Sequence, residues 1–261
     1  MKELLGPGDP PAVEVFNEEG KAPVLATCDH AGNRVPEALR KLGLSDAELK
    51  RHIASDIGAA GVTRLLARKL DAQAILAGYS RLVVDCNRDI ADATSMPALS
   101  DGVRVPGNEG LGEAARHQRI EALFRPYHRA IAQALDRFVA HAVHPAVLSI
   151  HSFTPVMNGI ARPWHIGVLW DKDPRIPVPL LAALRREPGL VVGDNEPYSA
   201  REPAGFTVRT HAVGRGLPHV AVEIRQDLIA DAAGEREWAD RLAHTLTPLL
   251  EDPALYHVKH Y

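Results

Sequence analysis

Short apolar runs alternate with longer amphipathic stretches along most of the chain. The runs are "APVLAT", "AQAILAGY", "SRLVVDC", "PAVLSI", "WHIGVLW", "GLVVGD", "FTVRTHA" and "HVAVEI". They are brief and rich in β-branched residues, so each predicts a buried strand. The stretches between them have helical spacing. Ser45 and Glu48 form a capping-box pattern ahead of a helix over 46–54. Over 58–70, Val62, Leu65, Leu66 and Leu70 share one face. Over 110–142, Ile120, Leu123, Phe124, Tyr127, Ile131 and Leu135 keep helical register, and Pro126 is expected to kink or split that segment. Segments 177–186 and 233–250 supply two more helices.

Strands alternating with helices predict an α/β fold. The expected form is a three-layer sandwich, a mainly parallel mixed sheet covered by helices on both faces. No internal repeat or linker interrupts the pattern, so residues 1–261 are expected to form a single domain. The Pro/Gly-bearing stretch 95–110, "SMPALSDGVRVPGNEG", is the expected mobile, lid-like segment.

Sites in such sheets gather beyond the carboxyl ends of the strands. Cys28, Asp29 and His30 follow "VLAT", and Asp85, Cys86, Asn87 and Arg88 follow "RLVV". His151 and Ser152 follow "AVLSI", while Glu223, Ile224 and Arg225 follow "VAV". Four polar ends on one edge point to a shared site.

Composition narrows the classes. The chain has 261 residues, 46% of them hydrophobic, enough for a large core. A net charge of −3 gives no reason to expect nucleic acid or an anionic membrane as partner. No apolar run approaches the ~20 residues of a membrane helix. The opening "MKELLGPGDPPAVEVF" has no apolar signal-peptide core. Two cysteines make no disulfide framework, so a reducing, cytoplasmic compartment is expected.

Histidine is the commonest metal ligand, and catalytic zinc takes three His, Glu or Asp ligands plus water. His30 and His151 are the first two candidates. Asp56, in "IASDIGAAG", is the third, although a helix N-cap would explain it equally well. Asp29 is a further option, but neighbouring strand residues point opposite ways. Glu223 ends an apolar strand. It is either a general base or the partner of Arg225 two residues on. Asn87 and Arg88 suit an anion clamp, unless Arg88 pairs with Asp85 or Asp89. Arg81 fits either role. Cys28 and Cys86 read as buried small side chains or, less readily, as nucleophiles.

Taken in order, "LATCDHAGNRVPEAL", "SDIGAAGVTRLLARKLDAQAILAGYSRLVVDCNRD", "SIHSFTP" and "HVAVEIRQDLI" resemble the N-formylglutamate amidohydrolase family over roughly residues 22–230. The resemblance implies hydrolysis of N-formyl-L-glutamate to formate and glutamate. It also implies a fold like that of the zinc carboxypeptidases, of phosphorylase/hydrolase-like type, with one Zn2+ per chain. By that kinship "VVDCNRD" places the substrate-carboxylate pair at Asn87 and Arg88. "SIHS" places a zinc ligand at His151, and "VEIRQ" places the catalytic glutamate at Glu223. His30 stands where the first zinc histidine stands. One departure is Asn33, which occupies the position of a ligating glutamate, so the third ligand is sought at Asp56. Arg162 and Arg215 are candidates for a substrate side-chain carboxylate or the oxyanion, and Trp164, Trp170, Phe153 and Tyr198 for the pocket wall. The implied substrate is a small acyl-amino acid. The alternatives are a zinc hydrolase of another acyl-amino acid or short peptide, a non-catalytic binder of a small acidic ligand, and a cysteine hydrolase.

Overall fold

The computed structural model describes residues 3–201 and 205–261. Its strands are β1 (Val13–Phe16), β2 (Val24–Cys28), β3 (Gln73–Ala77), β4 (Leu99–Ser100), β5 (Val103–Arg104), β6 (Ala146–Phe153), β7 (Val156–Met157), β8 (Ile160–Ala161), β9 (Ile166–Leu169), β10 (Val192–Asp194) and β11 (His219–Arg225). Its α-helices are α1 (Ala59–Lys69), α2 (Glu113–Arg119), α3 (Arg125–Ala140), α4 (Pro177–Leu184), α5 (Phe206–His211) and α6 (Ala232–Leu250).

Seven strands form one sheet in the order β1-β3-β2-β6-β11-β9-β10. The central four, β3, β2, β6 and β11, are parallel, and β1 and β9 join antiparallel. Strands β2, β3, β6 and β9 are buried at every position. That is why they read as unbroken apolar runs: helices cover both faces. Val24, Leu148, Ile150, Val222 and Ile224 pack with Val62 and Leu66 of α1, Leu180 of α4 and Trp238 and Leu242 of α6. Leu25, Ile75 and Val147 pack on the other face with Tyr127, Ile131 and Leu135 of α3. The strand period of two therefore puts Ser149, His151 and Glu223 on the α3 side. In the parallel register Glu223 stands opposite His151.

Two expected strands are absent. "SRLVVDC" is an irregular buried segment. Leu82, Val83 and Val84 enter a second apolar cluster with Tyr79, Met96, Leu123 and Phe124. Its backbone groups are satisfied by other means, as a buried loop requires. Asp85 N–H donates to Ser95 O, and Asn108 and Arg119 donate to the carbonyls of Leu82 and Val83. "FTVRTHA" forms α5, because Asn87 caps it from a distance: its backbone O and Oδ1 accept from the N–H groups of Phe206 and Thr207. Strand β1 was hidden in the polar N-terminal stretch.

The capping box of Ser45 and Glu48 forms, but only a single 3-10 turn follows. Pro126 does not split its helix. The chain widens into a π turn over Ile120–Phe124, and Pro126 follows directly in the first turn of α3, so the helix runs on through it. The 95–110 stretch is anchored rather than lid-like. Met96, Val105 and Asn108 are buried, and Asn108 Nδ2 donates to Leu82 O and Pro97 O, both at 2.8 Å. No helix among the described residues is long and apolar enough to cross a membrane.

Candidate metal and catalytic site

His30 lies two residues past the end of β2, beside His151 of β6. Asp56 is drawn between them because its backbone N–H donates to His30 O at 3.0 Å. It does not cap α1: the N-cap is Gly58, and no side chain caps that helix. Gly58 has φ 76°, and a Cβ there would lie 2.0 Å from Ile229 O, so only glycine makes this turn. Freed from capping, Asp56 Oδ2 faces His30 Nδ1 at 3.2 Å and His151 Nδ1 at 3.0 Å.

The far nitrogen of each ring meets another carboxylate. His30 Nε2 lies 2.8 Å from Asp85 Oδ1. His151 Nε2 lies 3.2 Å from Asp29 Oδ2 and 3.0 Å from Ser149 Oγ. Arg81 grips Asp85 Oδ2 through Nε and Nη2 at 3.0 and 2.7 Å and reaches Asp56 Oδ1 at 3.4 Å.

The charges here are unusual. Burial works against ionisation of Asp56, yet His30 and His151 hold its carboxyl far below the normal range. Asp85 behaves the same way, through Arg81 and His30. For Asp29, burial is again outweighed by His151, His30 and the Tyr127 hydroxyl, which bring it to about 2. Burial opposes protonation of both histidines, but the carboxylates raise His30 and raise His151 strongly. Three buried carboxylates thus face one guanidinium. With neutral imidazoles the cluster lacks two positive charges, which two imidazolium protons or one dication would supply.

The donor set fits a dication. His30, Asp56 and His151 are buried and offer atoms within 4.8 Å of one another. With Nε2–H directed at Asp85 from His30, and at Ser149 Oγ beside Asp29 from His151, neutral imidazoles present the Nδ1 lone pairs inward. Zinc bonds of ~2.0–2.2 Å put neighbouring ligand atoms about 3.3 Å apart, close to the two Asp56–histidine spacings of 3.2 and 3.0 Å. Asn33 is not among the donors, since its Nδ2 bonds Leu49 O at 2.9 Å.

Glu223 completes the group. Its carboxyl is buried and Oε2 has no partner among the described residues. The pairing with Arg225 does not form, because Arg225 bonds Asp227 at 2.8 Å. Burial lifts Glu223 to about 7, with His151 pulling down and Asp56 pushing up. A carboxyl that titrates near neutrality is suited to moving protons.

The Arg88 side chain has no ion pair or hydrogen bond among the described residues; its backbone N–H donates to Asp85 O at 3.3 Å, but neither the Asp85 nor the Asp89 carboxylate holds its guanidinium. Asn87 Oδ1 is taken by Thr207 N–H at 3.0 Å. Arg162 stands over Phe153, the last residue of β6, and bonds Tyr198 Oη at 3.0 Å. Two arginines already have carboxylate partners. Of the two roles open to Arg81, the geometry favours the structural pair, since it bonds Asp85 and Asp56 and braces the cluster. Arg215 lies ahead of the amino end of β11 and pairs with Asp136 of α3 at 2.6 Å. That is the opposite edge of the sheet, away from the cluster. Trp170 is also turned elsewhere, its Nε1 bonding Asp194 at 2.8 Å.

Cys28 and Cys86 are buried with both thiols pushed up by burial, so neither is a usable nucleophile. Ser149, His151 and Asp56 line up as a hydrolase triad would, but Ser149 has no exposed surface to meet a substrate. Asp29 and Asp85 are the residues whose bracing role sequence reasoning missed. The signal was present: each is a carboxylate ending or following an apolar run, where it must find a partner.

Comparison with known proteins agrees with this architecture. The model of the family described as N-formylglutamate amidohydrolase matches residues 22–230. N-formylglutamate deformylases of Pseudomonas putida and Pseudomonas aeruginosa are each 29% identical, over 144 and 147 residues. Those matches cover 51% and 52% of this chain and 53% of each relative, so the chain spans about half the length of the relatives it matches. A crystal structure of a gene product from Agrobacterium tumefaciens superposes with a TM-score of 0.92 at 37% identity, covering 95% of this chain and 98% of that one. N-formylglutamate amidohydrolase from Ralstonia eutropha JMP134 shares the fold, with a TM-score of 0.63 at 20% identity over 92% and 95% of the two chains. The family match extends over most of the chain and takes in all five segments that build the cluster, those of His30, Asp56, Asp85, His151 and Glu223, and this chain belongs to the N-formylglutamate amidohydrolase family.

Proposed function

We propose that the chain is a zinc-dependent amidohydrolase that cleaves the amide of an N-formyl amino acid, with N-formyl-L-glutamate as the leading substrate. The observation that carries this reading is the buried His30–Asp56–His151 cluster, short of two positive charges, with the unpartnered carboxyl of Glu223 beside it. The names of the Pseudomonas relatives support the choice of substrate. A zinc hydrolase of another N-acyl amino acid or a short peptide would use the same residues, since nothing in the cluster reads the acyl group.

His30, Asp56 and His151 would hold the ion, with Asp85 and Asp29 orienting the two rings. Zinc held there supplies Lewis acidity, lowering the pKa of water from ~16 towards ~7 and polarising an amide carbonyl. Glu223 accepts a proton from the attacking water and passes it to the leaving nitrogen as the C–N bond breaks. Formate and the free amino acid leave. Arg88 and Asn87 hold the α-carboxylate, and Arg162 with Tyr198 offers donors to the second carboxylate.

The test is metal content and N-formyl-L-glutamate hydrolysis of the purified chain, before and after chelation. About one zinc per chain, with activity lost on chelation and restored by zinc, is the expected result. Full activity of a chelated, metal-free sample would overturn the reading.

A further inference from the structure

We infer that Thr207 and Tyr127 are positioning residues: they hold Asp29 against His151 and so set the strength of the metal cluster. The inference rests on the metal-binding reading above. Asp29 is buried, and so are the two side chains that reach it. Its Oδ1 accepts from Tyr127 Oη of α3 at 2.7 Å and from Thr207 Oγ1 of α5 at 2.7 Å. Thr207 has one hydroxyl proton, and Cys86 O at 3.4 Å is the weaker acceptor for it. Donors from two helices on the same oxygen fix the rotation of the carboxylate. The other oxygen, Oδ2, makes no aligned hydrogen bond among the described residues and is left facing His151 Nε2 at 3.2 Å as an ion-pair contact, beside the Ser149 Oγ bond to the same nitrogen.

The kind of donor matters. Asp85, which faces His30, is braced by the Arg81 guanidinium, and that contact offsets its charge. Among the described residues the hydrogen bonds to Asp29 come from neutral hydroxyls, so no guanidinium offsets its charge as Arg81 does that of Asp85. An anion on Nε2 raises the basicity of Nδ1, the atom that faces Asp56. His30 has the shorter contact, 2.8 Å to Asp85 against 3.2 Å from His151 to Asp29, but the charge of Asp85 is offset by Arg81 and that of Asp29 is not.

The same helical turn holds a second group. The backbone N–H of Thr207 donates to Asn87 Oδ1 at 3.0 Å, and Phe206 N–H donates to Asn87 O at 3.1 Å. The side chain of Thr207 thus acts on the metal side of the site and its main chain on the substrate-carboxylate side. A side-chain substitution separates the two.

The experiment uses the full chain and three variants, T207V, T207S and Y127F. Zinc affinity is read by competition with a chromophoric chelator, and far-UV circular dichroism checks the fold. T207V keeps the shape and loses the hydroxyl, whereas T207S keeps the hydroxyl and loses a methyl group. Removing an outer partner of a metal ligand costs ~10–100-fold in affinity. T207V and Y127F should lose about that much, with T207S within about threefold of wild type. At saturating zinc, T207V should lower kcat and leave KM for N-formyl-L-glutamate unchanged, because the main-chain bond to Asn87 survives. Wild-type affinity in both T207V and Y127F would overturn the inference. So would a T207S loss equal to that of T207V, which would indicate packing rather than hydrogen bonding. Wild-type protein that binds no zinc would instead overturn the metal-binding reading, and this inference with it. If T207V does not fold, Y127F gives the same readout.

Discussion

Replacing Glu223 with glutamine tests function and stability together. The two side chains are nearly isosteric, so packing against His151 and Gly167 on the neighbouring strands is retained. Glutamine cannot accept the proton of water. Loss of a general base costs ~10²–10⁴ in rate, or about 3–5 kcal/mol of barrier. The stability effect has the opposite sign. Glu223 has a folded value of about 7 against 4.5 as its ordinary value. Between those two values the folded chain holds a proton that the unfolded chain has released. Stability from this group is therefore present at low pH and is lost as pH rises towards and through 7. The loss relative to glutamine grows from about 1 kcal/mol at pH 5 to about 3 kcal/mol at pH 8. Urea unfolding of the chelated wild type and E223Q at both pH values reads this difference directly. Zinc should shrink the gap, because a nearby dication favours the carboxylate. Two results would refute the reasoning: kcat of E223Q within tenfold of wild type, or a stability difference that does not change with pH.

The arginines give two sharper contrasts. R88A should raise KM about 10–100-fold and leave kcat nearly unchanged, since a charge-assisted hydrogen bond contributes about 1.5–3 kcal/mol; steady-state kinetics with N-formyl-L-glutamate would show it, and an unchanged KM would remove Arg88 from the clamp. R215A should leave kcat and KM at wild-type values and cost under about 1 kcal/mol in urea unfolding, as a partly exposed pair with Asp136 contributes little.

Much of this site follows from residue type and place in the sequence. His30, His151 and Glu223 each end or follow an apolar run, and in a parallel sheet such ends share an edge. What remained open was the partner of each group. Asp56 had two readings of equal standing, cap or ligand, and a left-handed glycine at the N-cap position removed the first. Glu223 had a plausible partner two residues away, but Asp227 takes that arginine. Arg81 and Arg215 were both candidates for holding the substrate. Burial against Asp85 made one a brace, and position at the opposite edge made the other a surface pair. The misread "FTVRTHA" shows the same limit, since a β-branched run turned helical when Asn87, far away in the chain, capped its first turn.

The amino-acid sequence by itself determined the class of fold, three of the strands that carry the site (those of His30, His151 and Glu223) and the residue types that meet there. Those depend on local period and composition, which act over a few residues. Only the tertiary structure decided which carboxylate serves which histidine, which cation is already spent, and that a phenol and a hydroxyl from α3 and α5 hold Asp29. Hydrogen bonds and ion pairs are satisfied between atoms within about 3 Å, and chain distance sets no bound on which residues come that close.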